Sequence, residues 1–398
     1  MKLLVYSSLF PNRLEPHHGV FVKTRLLRYL ERHGGSAAVV APVPRSPPVG
    51  PARWTRYRHV PASEQIDGLS VAHPRFTSPP GFGDRWRGAL MARSVRATLR
   101  EHVRRFQPDV LDVHYAYPDG VAACLLRDEL SDVLGRRLPL VLTCRGTDLN
   151  LIPSLPTVRP LVAEALQTAD HVVCVAEALR KVALDLGAAP EQVTTLRNGV
   201  DLEHFHPGSK VAARRILGLD EGTRYVLCVG HLVERKGQHK LIRAFAREFG
   251  KAPRPTELLL VGGGDQEALR QVAREAAIDH LVRFVGPVSP RELPAWYQAA
   301  DVQVLASSRE GWANVVLEGL ACGLPIIATR VWGTPEIING CAAGLLVDAT
   351  EDGLAGGLAR MDELAPAAAR PWAERFGWDE TLDGMHAIFD RVAEVVTS

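Results

Sequence analysis

The sequence DVQVLASSREGWANVVLEGLACGLPIIAT, which spans residues 301–329, decides the fold. Apolar runs with the character of buried strands stand at both ends of this stretch. Between them apolar residues recur at helical spacing, until Gly323 and Pro325 end the helix. A strand, a helix and a second strand in so short a span predict a crossover between two parallel strands.

Two glutamates lie in this crossover, Glu310 in the loop before the helix and Glu318 within it. Eight residues would rise about 12 Å if all were helical. The helix N-terminus between them would offer the backbone N–H groups of Asn314, Val315 and Val316 to a phosphate. The alternative is an ordinary amphipathic helix with two solvated glutamates, and an isolated pair favours that alternative. The rest of the chain therefore has to decide between them.

The length of 398 residues exceeds what one hydrophobic core usually supports, so we expect two domains. Strand-like and helical patterns alternate through both halves, which predicts parallel sheets. Strand-like runs lie at residues 3–6, 37–41, 110–114, 140–143, 171–175 and 193–196, and then at 225–229, 258–261, 282–285, 301–305, 325–328 and 344–347. The fold class is therefore predicted to be α/β, with two Rossmann-like doubly wound domains facing a cleft.

The predicted domains are residues 1–205 and 206–375, followed by a helical segment at 376–398. The C-terminal helix has one apolar stripe that includes Met385, Phe389 and Val396, and we expect it to lie back across the first domain. Proline-rich stretches at residues 42–51 and 77–81 are predicted to be loops.

The composition narrows the class of protein. No apolar run is long enough to span a membrane, and the N-terminus has the pattern of a strand rather than of a signal peptide. The six cysteines include no C-x-x-C pair and are predicted to be buried free thiols in a reducing compartment. These features predict a cytoplasmic protein. The sequence contains no D-x-D pair and no His/Cys cluster with metal-ligand spacing, so no metal site is predicted.

Charge is unevenly distributed, with a small basic excess in the first 205 residues. That excess suggests an anionic partner, but it is too small for a nucleic-acid-binding protein. Residues 84–105 form an arginine-rich helix. This helix either rests on an anionic membrane surface or presents an ordinary solvated face.

Ligands of doubly wound sheets bind beyond the carboxyl ends of the strands, so the loops that follow the strands carry the candidate residues. Gly19 opens a helix and either lets a phosphate approach the backbone or belongs to an ordinary loop. His114 ends a strand and either faces a ligand or is a hydrogen-bonded core residue. Arg145 and Asp148 either form a structural ion pair or line a cleft. Asn198 begins an Asn-Gly turn and either binds substrate or belongs to a turn that closes the first domain.

In the second half, a loop containing His231, Arg235 and Lys236 follows the first strand. Lys236 precedes a helix and could place its ammonium on a diphosphate. The alternative is a surface lysine beside a glycine turn.

The ordered set of motifs resembles the family 4 glycosyltransferases, which are retaining, nucleotide-sugar-dependent enzymes with the GT-B arrangement of two Rossmann-like domains. The resemblance covers most of the chain. Its motifs are the E-x7-E pair at Glu310 and Glu318, the Gly230 to Gly237 loop, Arg197-Asn198-Gly199-Val200-Asp201, and Gly333-Thr334-Pro335-Glu336. The pattern His18-Gly19-Val20-Phe21-Val22-Lys23 resembles bacterial members that build exopolysaccharide or cell-envelope glycans.

The resemblance implies donor-side roles. Glu318 would hold the ribose hydroxyls, Glu310 would contact the transferred sugar, and Lys236 would neutralise the leaving diphosphate. The backbone N–H groups that would cradle the diphosphate belong to Gly19, Asn314, Val315 and Val316.

The resemblance also implies the remaining partners. His114 would face the sugar from the first domain, and Arg145 and Asp148 would line the acceptor side. No cofactor is expected. The substrates would be a nucleoside diphosphate sugar and a glycan or lipid-linked acceptor, and the sugar would be transferred without a metal. The enzyme would act either at the inner membrane surface or in the cytoplasm. No nucleic-acid partner is expected.

One position departs from the family pattern. His231 stands where the family usually has Arg, and imidazole is neutral over much of the physiological pH range. Arg235 could compensate for the missing charge. This departure keeps a second hypothesis open, a catalytically silent nucleotide-sugar-binding scaffold of a biosynthetic complex.

Overall fold

The computed structural model describes residues 1–45, 55–77 and 84–395. Pro47, Pro48, Pro51, residues 78–81 and Val396, which appear in the predicted loops and in the last helix, lie outside these ranges. The chain forms two compact units, Met1–Arg197 together with Asp379–Ser398, and Asn198–Trp378. The prediction of two Rossmann-like α/β domains with parallel sheets is confirmed.

The unit boundaries differ from the predicted ones, because residues 198–205 and 376–378 belong to the second unit. The reason is local hydrogen bonding. The Val200 N–H donates to the Phe376 carbonyl at 2.9 Å, and the Trp312 indole N–H donates to the Asn198 carbonyl at 2.9 Å.

The first unit is built on an eight-stranded sheet in the order β10-β9-β8-β7-β1-β2-β5-β4. Neighbouring strands are parallel except for the β4–β5 pair. These strands are β1 (Lys2–Tyr6), β2 (Ser36–Val40), β4 (Ser63–Ile66), β5 (Leu69–Ala72), β7 (Val110–His114), β8 (Leu140–Cys144), β9 (His171–Cys174) and β10 (Val193–Thr195), and a separate two-stranded pair consists of β3 (Val43–Pro44) and β6 (Arg75–Phe76).

Every residue of β7, β8 and β9 is buried, as expected for strands covered by helices on both faces. The helices are α1 (Val20–His33), α2 (Arg87–Phe106), α3 (Val121–Leu134), α4 (Thr147–Asn150), α5 (Arg159–Thr168) and α6 (Glu177–Asp185).

The β4–β5 hairpin is absent from the sequence prediction. Its turn is Asp67-Gly68, and both residues have left-handed φ angles of 47° and 82°. A type I′ hairpin needs this geometry, so the Asp-Gly dipeptide was the signal that could have predicted the pair.

The second unit has a six-stranded parallel sheet in the order β13-β12-β11-β14-β15-β16. The strands are β11 (Arg224–Val229), β12 (Thr256–Val261), β13 (Val282–Gly286), β14 (Val302–Leu305), β15 (Ile326–Thr329) and β16 (Gly344–Val347). The helices are α7 (Lys210–Leu217), α8 (Gln238–Phe249), α9 (Gln266–Glu275), α10 (Leu293–Ala299), α11 (Asn314–Ala321), α12 (Thr334–Ile338), α13 (Glu351–Ala359) and α14 (Ala369–Ala373). The core joins the central strands to α8 and α13.

The last helix, α15 (Asp379–Glu394), packs against α1 within the first unit. Arg32 holds it through Asp379 at 2.8 Å and Asp383 at 2.7 Å. Within the described residues, no helix is both long enough and apolar enough to cross a membrane.

Candidate active site

The loop between β11 and α8 is fitted closely to the end of β14. Gly237 has a left-handed φ of 70°, and a Cβ there would overlap the carbonyl oxygen of Ala306. The Ser308 N–H donates to the Arg235 carbonyl at 2.8 Å. The loops that follow these two adjacent strands are therefore fixed to each other at the carboxyl edge of the sheet, where ligands of such sheets bind.

This fit brings Lys236 to Glu310. The Lys236 Nζ lies 2.6 Å from Glu310 Oε1, and Ser307 Oγ donates to the same oxygen at 2.5 Å. Thr329 Oγ1 in turn donates to the Ser307 carbonyl at 2.6 Å. Both charged side chains are mostly buried, with exposed fractions of 15% and 8%. An ammonium and a carboxylate are thus held together at the carboxyl edge of the sheet.

The N-terminus of α11 follows directly after this pair. Asn198 Nδ2 donates to Asn314 Oδ1 at 3.3 Å and ties the Asn198 loop to the start of the helix. The Asn314 N–H donates to Trp312 O and the Val316 N–H to Ala313 O. Among the predicted diphosphate donors on this helix, the Val315 amide is therefore the one without a backbone acceptor in the part of the chain that the structure describes.

Glu318 lies in the second turn of α11. Its Oε2 accepts a hydrogen bond from the Tyr297 hydroxyl at 2.7 Å. Burial raises the pKa of this carboxyl, while the hydrogen bond from Tyr297 acts to lower it. Behind the helix, Gln303 Nε2 donates to the Val315 carbonyl at 3.0 Å, and a Cβ on Gly319 would overlap Gln303 Oε1. The helix is thus seated closely on β14.

His231 and Arg235 lie on the loop that carries Lys236, but their side chains are exposed. Gln238 Nε2 donates to the His231 carbonyl at 3.2 Å and holds the loop backbone. Both residues are therefore close to Lys236 in sequence, but neither side chain is hydrogen-bonded to Lys236 or Glu310 in the part of the chain that the structure describes.

His114 is enclosed at the end of β7, and its sugar-facing role stays a prediction. It is 2% exposed, its Nε2 lies 3.1 Å from Asp112 Oδ2, and its Nδ1 accepts from the Arg145 guanidinium at 2.8 Å. Burial lowers the pKa of His114 to about 4, while the Asp112 carboxylate acts to raise it and the Arg145 charge acts to lower it. The imidazole is neutral, and each of its two ring nitrogens has a hydrogen-bond partner.

Asp148 also has a structural role in the first unit. The carboxylate is fully buried and accepts backbone N–H groups from Ala116, Arg145 and Gly146. It fixes the loop after β8, and the acceptor-side role of Asp148 stays a prediction. The Arg145 guanidinium contacts His114 and lies over the Phe21 ring, 5.3 Å from its centroid.

Gly19 begins α1 with a left-handed φ of 64°. A Cβ at this position would overlap the backbone carbonyl of Leu9. Close packing of the preceding loop on the helix start thus accounts for glycine here, whatever approaches the helix N-terminus from outside.

Two buried groups of the first unit were missed by sequence reasoning. Asp119 is fully buried and accepts the Ser8 N–H at 2.5 Å and the Ser8 hydroxyl at 2.8 Å, and burial raises its pKa to about 7. Arg25 is 3% exposed, and burial lowers its pKa to about 10. Its three guanidinium nitrogens have no hydrogen-bond partner among the described residues. Neither Asp119 nor Arg25 lies in a sequence motif that predicts a buried charged side chain.

The two units with parallel Rossmann-like sheets have the GT-B architecture. Residues 22–204 match the family described as Glycosyltransferase Family 4, and residues 223–362 match Glycosyl transferases group 1. A D-inositol 3-phosphate glycosyltransferase of Geodermatophilus obscurus is 31% identical over 84% of this chain and 78% of its own length. The chain belongs to glycosyltransferase family 4, and the predicted enzyme class is confirmed.

Further relatives carry the same name. The D-inositol 3-phosphate glycosyltransferase of Pseudarthrobacter chlorophenolicus is 32% identical over 73% of this chain and 74% of its own length. Among solved structures, sucrose-phosphate synthase from Thermosynechococcus elongatus covers 99% of this chain and 100% of its own at a TM-score of 0.77 and 21% identity. Anabaena Alr3699/HepE, solved with UDP and glucose, covers 98% of this chain and 100% of its own, at a TM-score of 0.70 and 20% identity. Identities this low show the shared fold alone.

Within the described ranges, no group of three or more His, Cys, Asp or Glu residues is arranged to hold a metal ion.

Proposed function

We propose that the chain is a retaining, metal-independent glycosyltransferase that uses a nucleoside diphosphate sugar as its donor. The observation that carries this proposal is the Lys236–Glu310 contact of 2.6 Å, with α11 and Glu318 following directly. An ammonium stabilises the departing diphosphate, the Val315 amide adds a donor to it, and Glu310 receives hydroxyls of the sugar. One structural neighbour, Anabaena Alr3699/HepE, was solved in complex with UDP and glucose, which supports this type of donor.

Lys236→Ala tests the central role. We expect turnover to fall by roughly 10²–10³, as the loss of a charge-stabilising donor does in other sites. The matched control is Lys240→Ala on α8, where the lysine donates to the Ala349 carbonyl at 2.9 Å and should leave turnover near normal. Release of nucleoside diphosphate from UDP- and GDP-sugars is the measurement, and the anomeric configuration of the product by NMR tests retention. Near-normal turnover of Lys236→Ala would refute the role.

Two acceptor classes are supported by different observations. The relatives' name supports a phosphorylated polyol such as inositol 3-phosphate. The arginine-rich helix α2 supports a glycan or lipid-linked acceptor met at a membrane surface. Supplying each class to the purified enzyme with its best donor separates the two, because only one should accelerate diphosphate release above the rate of donor hydrolysis.

Membrane contact rests on one exposed stripe of α2. Trp86 is 54% exposed at the helix start, and positions 93, 97, 100 and 104 fall on the same side at helical spacing. A surface groove there is lined by five arginines together with Ala97 and Glu101, and Glu101 pairs with Arg105 at 3.1 Å; the arginines are Arg93, Arg96, Arg100, Arg104 and Arg105. Arg96 and Arg100 bind Glu129, so part of the charge is neutralised.

Liposome sedimentation tests this contact. Each basic residue near an anionic surface contributes about 1 kcal/mol, so Arg93→Glu/Arg104→Glu should release the protein from vesicles containing phosphatidylglycerol. Arg215→Glu, a 78% exposed arginine side chain in the other unit, is the control. Equal sedimentation with phosphatidylcholine alone would dispose of membrane binding.

His231 supports the second candidate function, a nucleotide-sugar-binding scaffold without turnover. The imidazole supplies no fixed positive charge to a diphosphate, and its side chain is exposed. Binding of UDP or GDP without diphosphate release in the presence of any acceptor would favour this candidate. Restoration of release by His231→Arg would show that this position limits catalysis.

A further inference from the structure

Tyr297 is hydrogen-bonded to Glu318, the carboxylate proposed to bind the ribose of the donor substrate, and it belongs to none of the sequence motifs. It lies in α10 and is 1% exposed, so its hydroxyl is removed from water. The edge of the ring packs against Phe205, with centroids 6.0 Å apart and planes at 73°. A buried hydroxyl needs a hydrogen-bond partner, and the partner here is Glu318 Oε2 at 2.7 Å.

This hydrogen bond uses one oxygen of a two-oxygen group. Oε1 of Glu318 has no partner among the residues that the structure describes, and it is not among the fully enclosed polar atoms. The carboxylate is therefore held on one side and left open on the other. Vicinal hydroxyls of a ligand are suitable donors for such an oxygen, because a carboxylate accepts several hydrogen bonds at once.

The rest of the surroundings restrict Glu318 further. Its helix is fixed by Gln303 through the Val315 carbonyl, and Gly319 lies against Gln303. Backbone position is thus set by β14, while the side-chain direction is set by the Tyr297 hydroxyl. A hydrogen bond to the ionised form also opposes the effect of burial on a carboxylate.

We propose that Tyr297 is a positioning residue for donor binding, which fixes Glu318 so that Oε1 receives the ribose hydroxyls of the nucleoside diphosphate. This inference rests on the proposed function. Tyr297 itself touches no substrate. Its contribution is to remove the rotamer freedom of Glu318 before the donor arrives, so its loss appears in binding rather than in turnover.

The variant Tyr297→Phe isolates this contribution, because it keeps the ring and removes only the hydroxyl. Without the hydroxyl, donor binding has to order the Glu318 side chain, at a cost of about 0.5–1.5 kcal/mol that corresponds to about two- to tenfold weaker binding. We expect a rise of about two- to tenfold in the donor KM and in the Kd of UDP or GDP, with kcat changed by less than about twofold. Tyr225→Phe is the matched control, since Tyr225 is also fully buried and accepts only the Asp220 N–H at 2.9 Å.

A second ligand separates positioning from a structural defect. The 2′,3′-dideoxy forms of UDP and GDP lack the hydroxyls that Glu318 would receive. Wild type and Tyr297→Phe should bind the dideoxy ligand equally. This ligand has no ribose hydroxyls to donate to Glu318, so the position of the Glu318 side chain no longer affects its binding. A general loosening of the fold would weaken both ligands alike, and that result would overturn the inference.

The outcomes also distinguish this inference from the function beneath it. Strong weakening by Glu318→Gln with no effect of Tyr297→Phe overturns the positioning role alone. Failure of the wild-type chain to bind either nucleoside diphosphate overturns both.

Discussion

The sharpest prediction concerns the pH dependence of stability through His114. Its ordinary pKa of 6.5 falls to about 4 in the folded chain, because burial and the nearby Arg145 charge outweigh the opposing effect of Asp112. The unfolded chain binds a proton below pH 6.5 and the folded chain does not until about pH 4. The stabilisation is thus complete above pH 6.5 and is lost as pH falls towards 4.

The magnitude follows from the shift. At ~1.4 kcal/mol per pH unit, a fall from 6.5 to about 4 corresponds to about 3 kcal/mol of unfolding free energy. His114→Gln should remove this pH-dependent part while adding a constant loss from the broken contacts to Asp112 and Arg145. The variant's unfolding free energy should therefore fall less steeply on acidification than that of the wild type.

Guanidinium unfolding followed between pH 8 and the acid end of this window measures both curves. His171 is also buried, burial lowers its pKa to about 4, and His171→Gln should show the same change in slope. Because His171 is retained in His114→Gln, its contribution cancels in the comparison with wild type. Parallel curves for wild type and His114→Gln would refute the lowered pKa of His114.

Three further changes test the buried groups. Gly319→Ala should cost about 1–3 kcal/mol of stability and weaken donor binding, because its Cβ overlaps Gln303; Gly356→Ala, where an added Cβ meets no atom within 4 Å, should be neutral or stabilising in the same thermal melt. Asp119→Asn should flatten the stability profile between pH 4 and 7, since the raised pKa of about 7 makes the wild type lose stability as pH rises through that range; an unchanged slope would contradict the shift. Arg25→Met should leave the melting temperature unchanged or raise it, because a buried guanidinium without a hydrogen-bond partner among the described residues is replaced by an apolar side chain of similar length; a loss above about 2 kcal/mol would show that the attraction between Arg25 and Asp112 outweighs the cost of burying the charge.

Local patterns were sufficient for the six-stranded sheet, for six of the eight strands of the first sheet, and for the loops that carry the donor-side residues. The apolar runs of β11 and β14 and the glycines after them predicted where Lys236 and Glu310 would lie, because parallel strands end at one edge. Patterns of period 2 and 3.6 are set by neighbours in the chain, so they can be read without coordinates.

Burial of individual polar groups could not be read in this way. A histidine at the end of a strand has the same sequence signature whether it meets solvent or is enclosed, and the helices over β7 and the Arg145 side chain decided the outcome for His114. Asp148 likewise looked like a cleft residue until three backbone amides were found around its carboxylate.

The sequence by itself determined the class of fold, the family and the order of the motifs, since these depend on periodicity and on residue types at short spacing. Only the tertiary structure decided that Lys236 meets Glu310, that Tyr297 holds Glu318 and that His114 is enclosed. The physical reason is distance along the chain. Each of these contacts joins side chains on different strands or helices, and their direction and burial are set by packing rather than by the residues beside them.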